Sequence, residues 1–241
     1  MYKIKRINEQ GITLLEASLW LLLLSVFLLG ALYLVHHIQR QRFVENIVDK
    51  NVRASSLRPL QLKENSSLAI NEKVLNLYIG TLASTLSMEI TKTYGREVNR
   101  FIDVAYGIVP INTETGKAVS YGEVKNHQQI GNSSFISTEL LKKTDLTTIL
   151  RSYIKEVSSA NEVFIYAIPL SVKKNVLNNL SVSAGIMSDK KYYVPQVVFI
   201  LARVFFSTEK ELAKNYVYEK LKIDPIYKAI KIVNLRGEYD L

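Results

Sequence analysis

Residues 11–35 read GITLLEASLWLLLLSVFLLGALYLV, and this stretch decides the architecture of the chain. From Ala17 to Val35 it contains no charged residue. At a rise of about 1.5 Å per residue, a helix over residues 12–35 is roughly 36 Å long, enough to cross a hydrocarbon layer of about 30 Å. A secretory signal has a shorter apolar core, followed by a cleavage site at small residues. We therefore expect one membrane-spanning helix rather than a freely soluble cytosolic protein.

The charges on either side of this stretch do not fix its orientation. Three basic residues precede it, and four follow it within twenty residues: Lys3, Lys5 and Arg6 on one side, and Arg40, Arg42, Lys50 and Arg53 on the other. The positive-inside rule compares basic residues in the flanking segments, so this near balance leaves both orientations open.

Glu16 is the one acidic residue inside the apolar stretch. A carboxylate at the centre of a spanning helix costs about 2.5–3.5 kcal/mol on insertion scales, and less near the interface. Either Glu16 lies at the level of the lipid headgroups, or it has a dedicated partner. Cleavage between Gly11 and Ile12 would create such a partner, because a new α-amine, with a pKa of about 7.7–8.0, is largely protonated at neutral pH. Pairing this amine with Glu16 of a neighbouring subunit would fix the register of the two helices.

The hexapeptide GITLLE at residues 11–16, with a basic leader before it and the apolar run after it, resembles the signal of type IV prepilins. The resemblance implies that a prepilin peptidase cuts after Gly11 and N-methylates Ile12, and that Glu16 contacts the terminus of a neighbouring pilin subunit. It also implies that the leader, residues 1–11, is cytoplasmic and that the bulk of the chain lies in the periplasm. An inner-membrane assembly platform would then move the mature chain from the membrane lipid into a pilus or a periplasmic filament.

Two functional interpretations follow. Removing 11 residues from 241 leaves 230, a large mature chain for a main fibre subunit, so the resemblance favours a minor pilin or a pseudopilin of a secretion-like filament. The competing interpretation is a single-pass inner-membrane scaffold or receptor with a basic periplasmic domain. Such a protein would keep its leader and never enter a filament.

The helix is expected to continue beyond the membrane to residue 56, as an amphipathic spine over residues 12–56. The apolar residues that keep helical spacing there are Phe43, Ile47, Val48 and Val52. Pro59 is incompatible with a helix interior and marks the end of the spine.

Residues 57–241 are expected to form one globular α+β domain, with an antiparallel sheet and additional helices. Apolar residues at three- and four-residue steps predict helices over residues 68–94 and 138–157. The capping box TEKE at residues 208–211 predicts a further helix to about residue 221. Residues 110–134 are rich in Asn, Gly, Ser and Thr, so we expect turns and a surface loop there, with short strands at most.

The strands are expected in the later part of the chain. Residues 196–206, QVVFILARVFF, are too few to span a membrane as a helix, and their β-branched and aromatic content predicts a central strand. The alternation of that strand places Arg203 on a face expected to be partly solvated. Residues 162–170 and 229–235 predict two further strands, and we expect the sheet to pack on the outer half of the spine.

Catalytic chemistry is not evident in the sequence. The absence of cysteine excludes disulfides, thiolate zinc sites and cysteine nucleophiles, and no G-x-S-x-G or H-E-x-x-H motif is present. His36 and His37 are adjacent, and helical neighbours point about 100° apart, which suits a shared metal poorly. His127 is expected to be exposed in a polar loop. We therefore expect no enzyme, no cofactor and no metal site.

The positive charge of the chain favours anionic partners. Its 31 basic and 22 acidic residues give a net charge of +9, compatible with nucleic acid, lipid or glycan. The cluster Lys190, Lys191, Tyr192 and Tyr193 suits DNA, because bases stack on tyrosine while lysines hold phosphate. The simpler interpretation, a solvated lysine face with tyrosines partly in the core, is the favoured one, so DNA or another surface ligand is the weaker alternative.

Overall fold

The computed structural model describes residues 2–56, 72–110, 117–159, 196–207 and 225–233. Contacts within the chain divide it into two units, Met1–Phe43 and Val44–Leu241. The boundary falls inside the long first helix, so the end of that helix belongs to the second unit. The predicted α+β class is confirmed, because a long apolar N-terminal helix precedes an antiparallel sheet with further helices.

The described elements, in chain order, are α1 (Tyr2–Ser56), α2 (Glu72–Tyr94), β1 (Asn99–Pro110), β2 (Glu123–Gly131), α3 (Thr138–Lys143), α4 (Leu146–Ser159), β3 (Gln196–Ser207) and β4 (Tyr227–Val233). Within the described residues, the helix predicted over residues 68–94 is confirmed as α2. The strands predicted over residues 196–206 and 229–235 are confirmed as β3 and β4, with small shifts at their ends. The run predicted at residues 162–170 and the helix predicted at 208–221 lie outside the described residues.

The four described strands pair antiparallel in the order β2-β1-β3-β4. In the central pair, Phe101 is opposite Phe205 and Asp103 is opposite Arg203. Side chains alternate along a strand, so odd-numbered residues of β1 and β3 share one surface, here called the odd face, and even-numbered residues share the even face. Both faces of these central strands are largely buried, which accounts for the nearly continuous apolar sequence of β3.

The odd face packs against α4. Leu150 and Ile154 of that helix share a buried cluster with Phe199 and Leu201 of β3. Gly107 of β1 lies against α4, since a Cβ atom there would lie 2.8 Å from a methyl group of Leu150. The absence of a side chain at this position therefore permits the close approach of helix and sheet.

The even face packs against α2 and the end of α1. The apolar stripe of α2 is fully buried, namely Leu75, Ile79, Leu82, Leu86 and Ile90, and the ring of Tyr94 lies 4.7 Å from that of Phe206. On α1, Val44, Val48 and Val52 are buried. The Nζ atom of Lys231 on β4 lies 3.3 Å from a carboxylate oxygen of Asp49, which fixes the end of α1 to the sheet.

The loop predicted over residues 110–134 contains the nine-residue strand β2. Its pairing with β1 shifts between Val104 and Tyr106, and Asn126 adopts a positive φ of 52° at this bulge. The Asn126 amide donates a hydrogen bond of 2.9 Å to the Tyr106 hydroxyl, which holds the bulge in place. β2 is a largely exposed edge strand, so it lacks the buried apolar alternation by which strands are predicted.

The helix predicted over residues 138–157 is interrupted after one and a half turns. Thr144 caps the end of α3, since its backbone N–H and its hydroxyl both donate to the carbonyl oxygen of Leu140. A carboxylate oxygen of Asp145 then accepts from the backbone N–H of Thr147, at 3.0 Å, and starts α4. The predicted single helix is therefore two helices, α3 and α4.

Candidate functional site

The candidate site is the apolar surface of α1 within the first unit. Residues 14–35 are all exposed, apart from the half-buried Tyr33, and the bulky side chains of Trp20 and Phe27 are 70% and 72% exposed. Soluble monomers rarely expose a continuous apolar patch of this extent. The helix is long and apolar enough there to cross a membrane or to serve as a signal anchor.

The polar groups of this segment fit an apolar environment. The hydroxyls of Ser18 and Ser25 donate hydrogen bonds of 2.8 and 2.7 Å to the carbonyl oxygens of Leu15 and Leu22. These two serine hydroxyls are therefore satisfied inside the helix, as hydrocarbon requires. Glu16 is the one charged residue of residues 14–35, and a charge is costly in hydrocarbon.

Gly11, Ile12 and Glu16 lie on one continuous helix, the backbone of α1. Ile12 and Glu16 are one helical turn apart, an axial distance of about 6 Å, and residues four apart lie on the same face of a helix. The Glu16 side chain is exposed. A carboxylate in this position can accept hydrogen bonds from a cation on a neighbouring helix, provided that both helices lie side by side in an apolar environment.

A buried charge cluster joins the three strands β1, β2 and β3 on the odd face. Asp103 is fully buried, and one of its carboxylate oxygens accepts from Nε and from a terminal nitrogen of Arg203, both at 2.8 Å. The guanidinium lies 5.5 Å from the centre of the Phe101 ring. Burial and double contact make this pair stronger than an exposed ion pair.

Arg203 also connects the sheet to the helical layer. Its Nη1 atom donates to the carbonyl oxygens of Leu141 and Thr144, at 2.8 and 3.2 Å. These are carbonyls at the end of α3, which have no partner within the helix. The arginine thus satisfies a helix terminus and a buried carboxylate at once.

The expectation that Arg203 lies on a partly solvated face is wrong, since the residue is only 6% exposed. The periodicity of β3 alone does not reveal this, because the burial depends on Asp103, which lies 100 residues away in the chain. His127 is exposed, as expected, but it does not lie in a loop. It lies on β2, with its side chain 36% exposed and its Nδ1 atom 3.1 Å from the second oxygen of Asp103. His127 therefore covers the buried carboxylate on its solvent side.

This cluster has the geometry of a structural support. Its hydrogen bonds join three strands and one helix end. Arg203 donates hydrogen bonds to Asp103 and to main-chain carbonyl oxygens. Within the described ranges, no three side chains of His, Asp or Glu are placed to hold a metal ion. The cluster Lys190, Lys191, Tyr192 and Tyr193 lies outside those ranges.

Comparisons of the chain with protein-family models, with curated proteins and with solved structures give no match.

Proposed function

We propose that the protein is a structural subunit, a minor pilin or pseudopilin, of a type IV pilus-like or type II secretion-like filament. The observation that carries the proposal is the exposed apolar surface of α1, whose one charged residue, Glu16, lies five residues beyond a glycine in a prepilin-type context. A prepilin peptidase would cut after Gly11, and the new amine of Ile12 would pair with Glu16 of a neighbouring subunit. An assembly role of this kind requires no catalytic centre and no cofactor.

The apolar surface explains how such a subunit is stored and then assembled. In the precursor, membrane lipid covers residues 14–35, with the N-terminus in the cytoplasm and the globular head in the periplasm. In the filament, helices of other pilin subunits replace the lipid, so the apolar surface of α1 stays buried. Close packing between the helices provides the favourable free energy of assembly. The inner-membrane assembly platform is the partner that would carry out this transfer.

The second unit supports the role of α1 as a spine. Its end, residues 44–56, is held to the sheet by buried valines and by the pair Asp49–Lys231. A head that is fixed in this way moves together with the end of α1 when the helix is transferred. The competing scaffold or receptor would use the same anchor, but it would remain in the membrane.

Fractionation separates the two functions. We expect the full chain, produced in a host with a type IV pilus assembly system, to appear in the filaments sheared from the cells. In the same host without the assembly platform, the protein should remain in the membrane fraction. Recovery from membranes alone in both hosts would contradict the filament role and favour the scaffold.

A further inference from the structure

A cavity of about 600 Å³ lies between the second half of α2 and the strands β1 and β2. It belongs to the second unit and is separate from the apolar surface of α1. It is a groove open to solvent, and Ser84, Met88, Lys92 and Arg96 in its wall are exposed. The chemistry of its wall differs from one end to the other, and this difference indicates what it binds.

One end of the cavity is cationic. Lys92, Arg96 and Arg100 line it, from the last turn of α2, the following turn and the start of β1. The negative end of the α2 dipole accounts for Lys92, but not for an arginine on a strand. Within the described ranges, no ion pair joins these three side chains to a carboxylate. Two guanidinium groups beside an ammonium group suit a phosphate, because each planar fork can donate two parallel hydrogen bonds.

The other end of the cavity carries hydroxyl groups. Ser84 and Ser87 lie there, about 12 and 8 Å along the axis of α2 from Lys92, whereas Thr91, on the same face, is next to Lys92. The hydroxyls of Ser84 and Thr91 already donate, at 3.0 and 2.8 Å, to main-chain carbonyls one turn earlier. Their free lone pairs therefore accept hydrogen bonds. Acceptors of this kind match the hydroxyl groups of a sugar and not a second phosphate.

Two apolar side chains complete the wall. Met88, which is 61% exposed, lies between the two ends on α2, and Ile130 faces it from β2. An exposed methionine provides an adaptable apolar contact, suited to the C–H face of a sugar ring. We propose that this cavity binds a sugar phosphate, with the phosphate at Lys92, Arg96 and Arg100 and the sugar hydroxyls at Ser84 and Ser87.

The ligand is either a free sugar phosphate or the phosphorylated end of a glycan. The test titrates the full chain, in detergent micelles at low salt, with glucose 6-phosphate, glucose, inorganic phosphate and a phosphorylated oligosaccharide. Calorimetry should show saturable binding of glucose 6-phosphate, weaker binding of inorganic phosphate, and none of glucose. Tighter binding of the oligosaccharide identifies the glycan as the source, whereas equal binding identifies the free sugar phosphate.

Two pairs of substitutions test the two ends. Arg96→Gln with Arg100→Gln should weaken glucose 6-phosphate binding by about tenfold or more, because charge-assisted hydrogen bonds are lost. The control, Arg151→Gln with Lys155→Gln, removes the same charge from exposed positions on α4 and should change affinity by no more than about twofold. Ser84→Ala with Ser87→Ala should bring glucose 6-phosphate close to the affinity of inorganic phosphate.

Three results would overturn the sugar-phosphate site. The first is the absence of saturation with glucose 6-phosphate, and the second is an equal loss of affinity in the α4 control. The third is binding of a short single-stranded DNA oligonucleotide without binding of the sugar phosphate, which would identify the cations as a nucleic-acid contact. None of these results bears on filament incorporation, because the cavity lies outside α1.

Discussion

Arg203→Met is expected to lower the free energy of unfolding by about 3–5 kcal/mol, because the substitution leaves the fully buried Asp103 without its main counter-charge. Two carbonyl oxygens at the end of α3, those of Leu141 and Thr144, would lose their donor as well. For a domain of this size, the melting temperature should fall by roughly 6–20 °C. Chemical denaturation of the full chain in detergent, followed by the fluorescence of its tyrosines, measures the change in unfolding free energy directly.

A matched control and a second substitution sharpen this test. Arg151→Met removes an exposed arginine of α4 and should change stability by no more than about 0.5 kcal/mol. Adding Asp103→Leu to Arg203→Met removes both charges. The free energy of unfolding of the double variant should therefore fall by at least about 1 kcal/mol less than the sum of the decreases in the two single variants. An Arg203→Met variant as stable as the control, or strictly additive losses, would contradict the support role of the pair.

Glu16→Gln is expected to reduce incorporation into filaments by about tenfold or more. Glutamine is close in shape to glutamate, but without the charge it leaves the amine of a neighbouring Ile12 unpaired in an apolar bundle, at a cost of several kcal/mol. A free-energy change of about 1.4 kcal/mol changes an equilibrium constant tenfold, so even part of this cost is enough for the expected reduction in incorporation. The measurement is the ratio of filament protein to membrane protein, determined by immunoblotting.

Controls distinguish loss of assembly from loss of the anchor. A neutral residue makes membrane insertion easier, so Glu16→Gln should reach the membrane as well as the unsubstituted chain does. Glu97→Gln changes an exposed carboxylate of the head and should leave incorporation unchanged. If Glu16→Gln enters filaments as efficiently as Glu97→Gln does, the register pairing is wrong.

The parts of the fold that were predictable are those with local physical signals. The apolar run of α1, the periodic stripe of α2 and the β-branched run of β3 each determine an element without help from distant residues. The edge strand β2 was missed because solvent covers much of it, and turn-forming residues dominate its surroundings. The break between α3 and α4 was missed because the periodicity continues across Thr144 and Asp145, although both are good capping residues.

The candidate sites also differ in how far the sequence alone could predict them. Gly11, Ile12 and Glu16 are close in sequence, so the prepilin-type hypothesis needs no tertiary information. The pair Asp103–Arg203 depends on strand register, although one signal was available. Arg203 is the lone charge in β3, and Asp103 is the one acidic residue in β1, so these opposite charges in two apolar strands indicate a buried pair. The cavity beside α2 could not be foreseen, because its cations come from a helix, a turn and a strand.

The mass of the mature N-terminus tests the filament hypothesis most directly. The full chain is co-produced with a prepilin peptidase, and the N-terminal peptide is identified by mass spectrometry, with a host without the peptidase as the control. The hypothesis predicts a chain that begins at Ile12, with or without a methyl group, and that depends on the peptidase. A chain that retains residues 1–11 in the presence of active peptidase would contradict it.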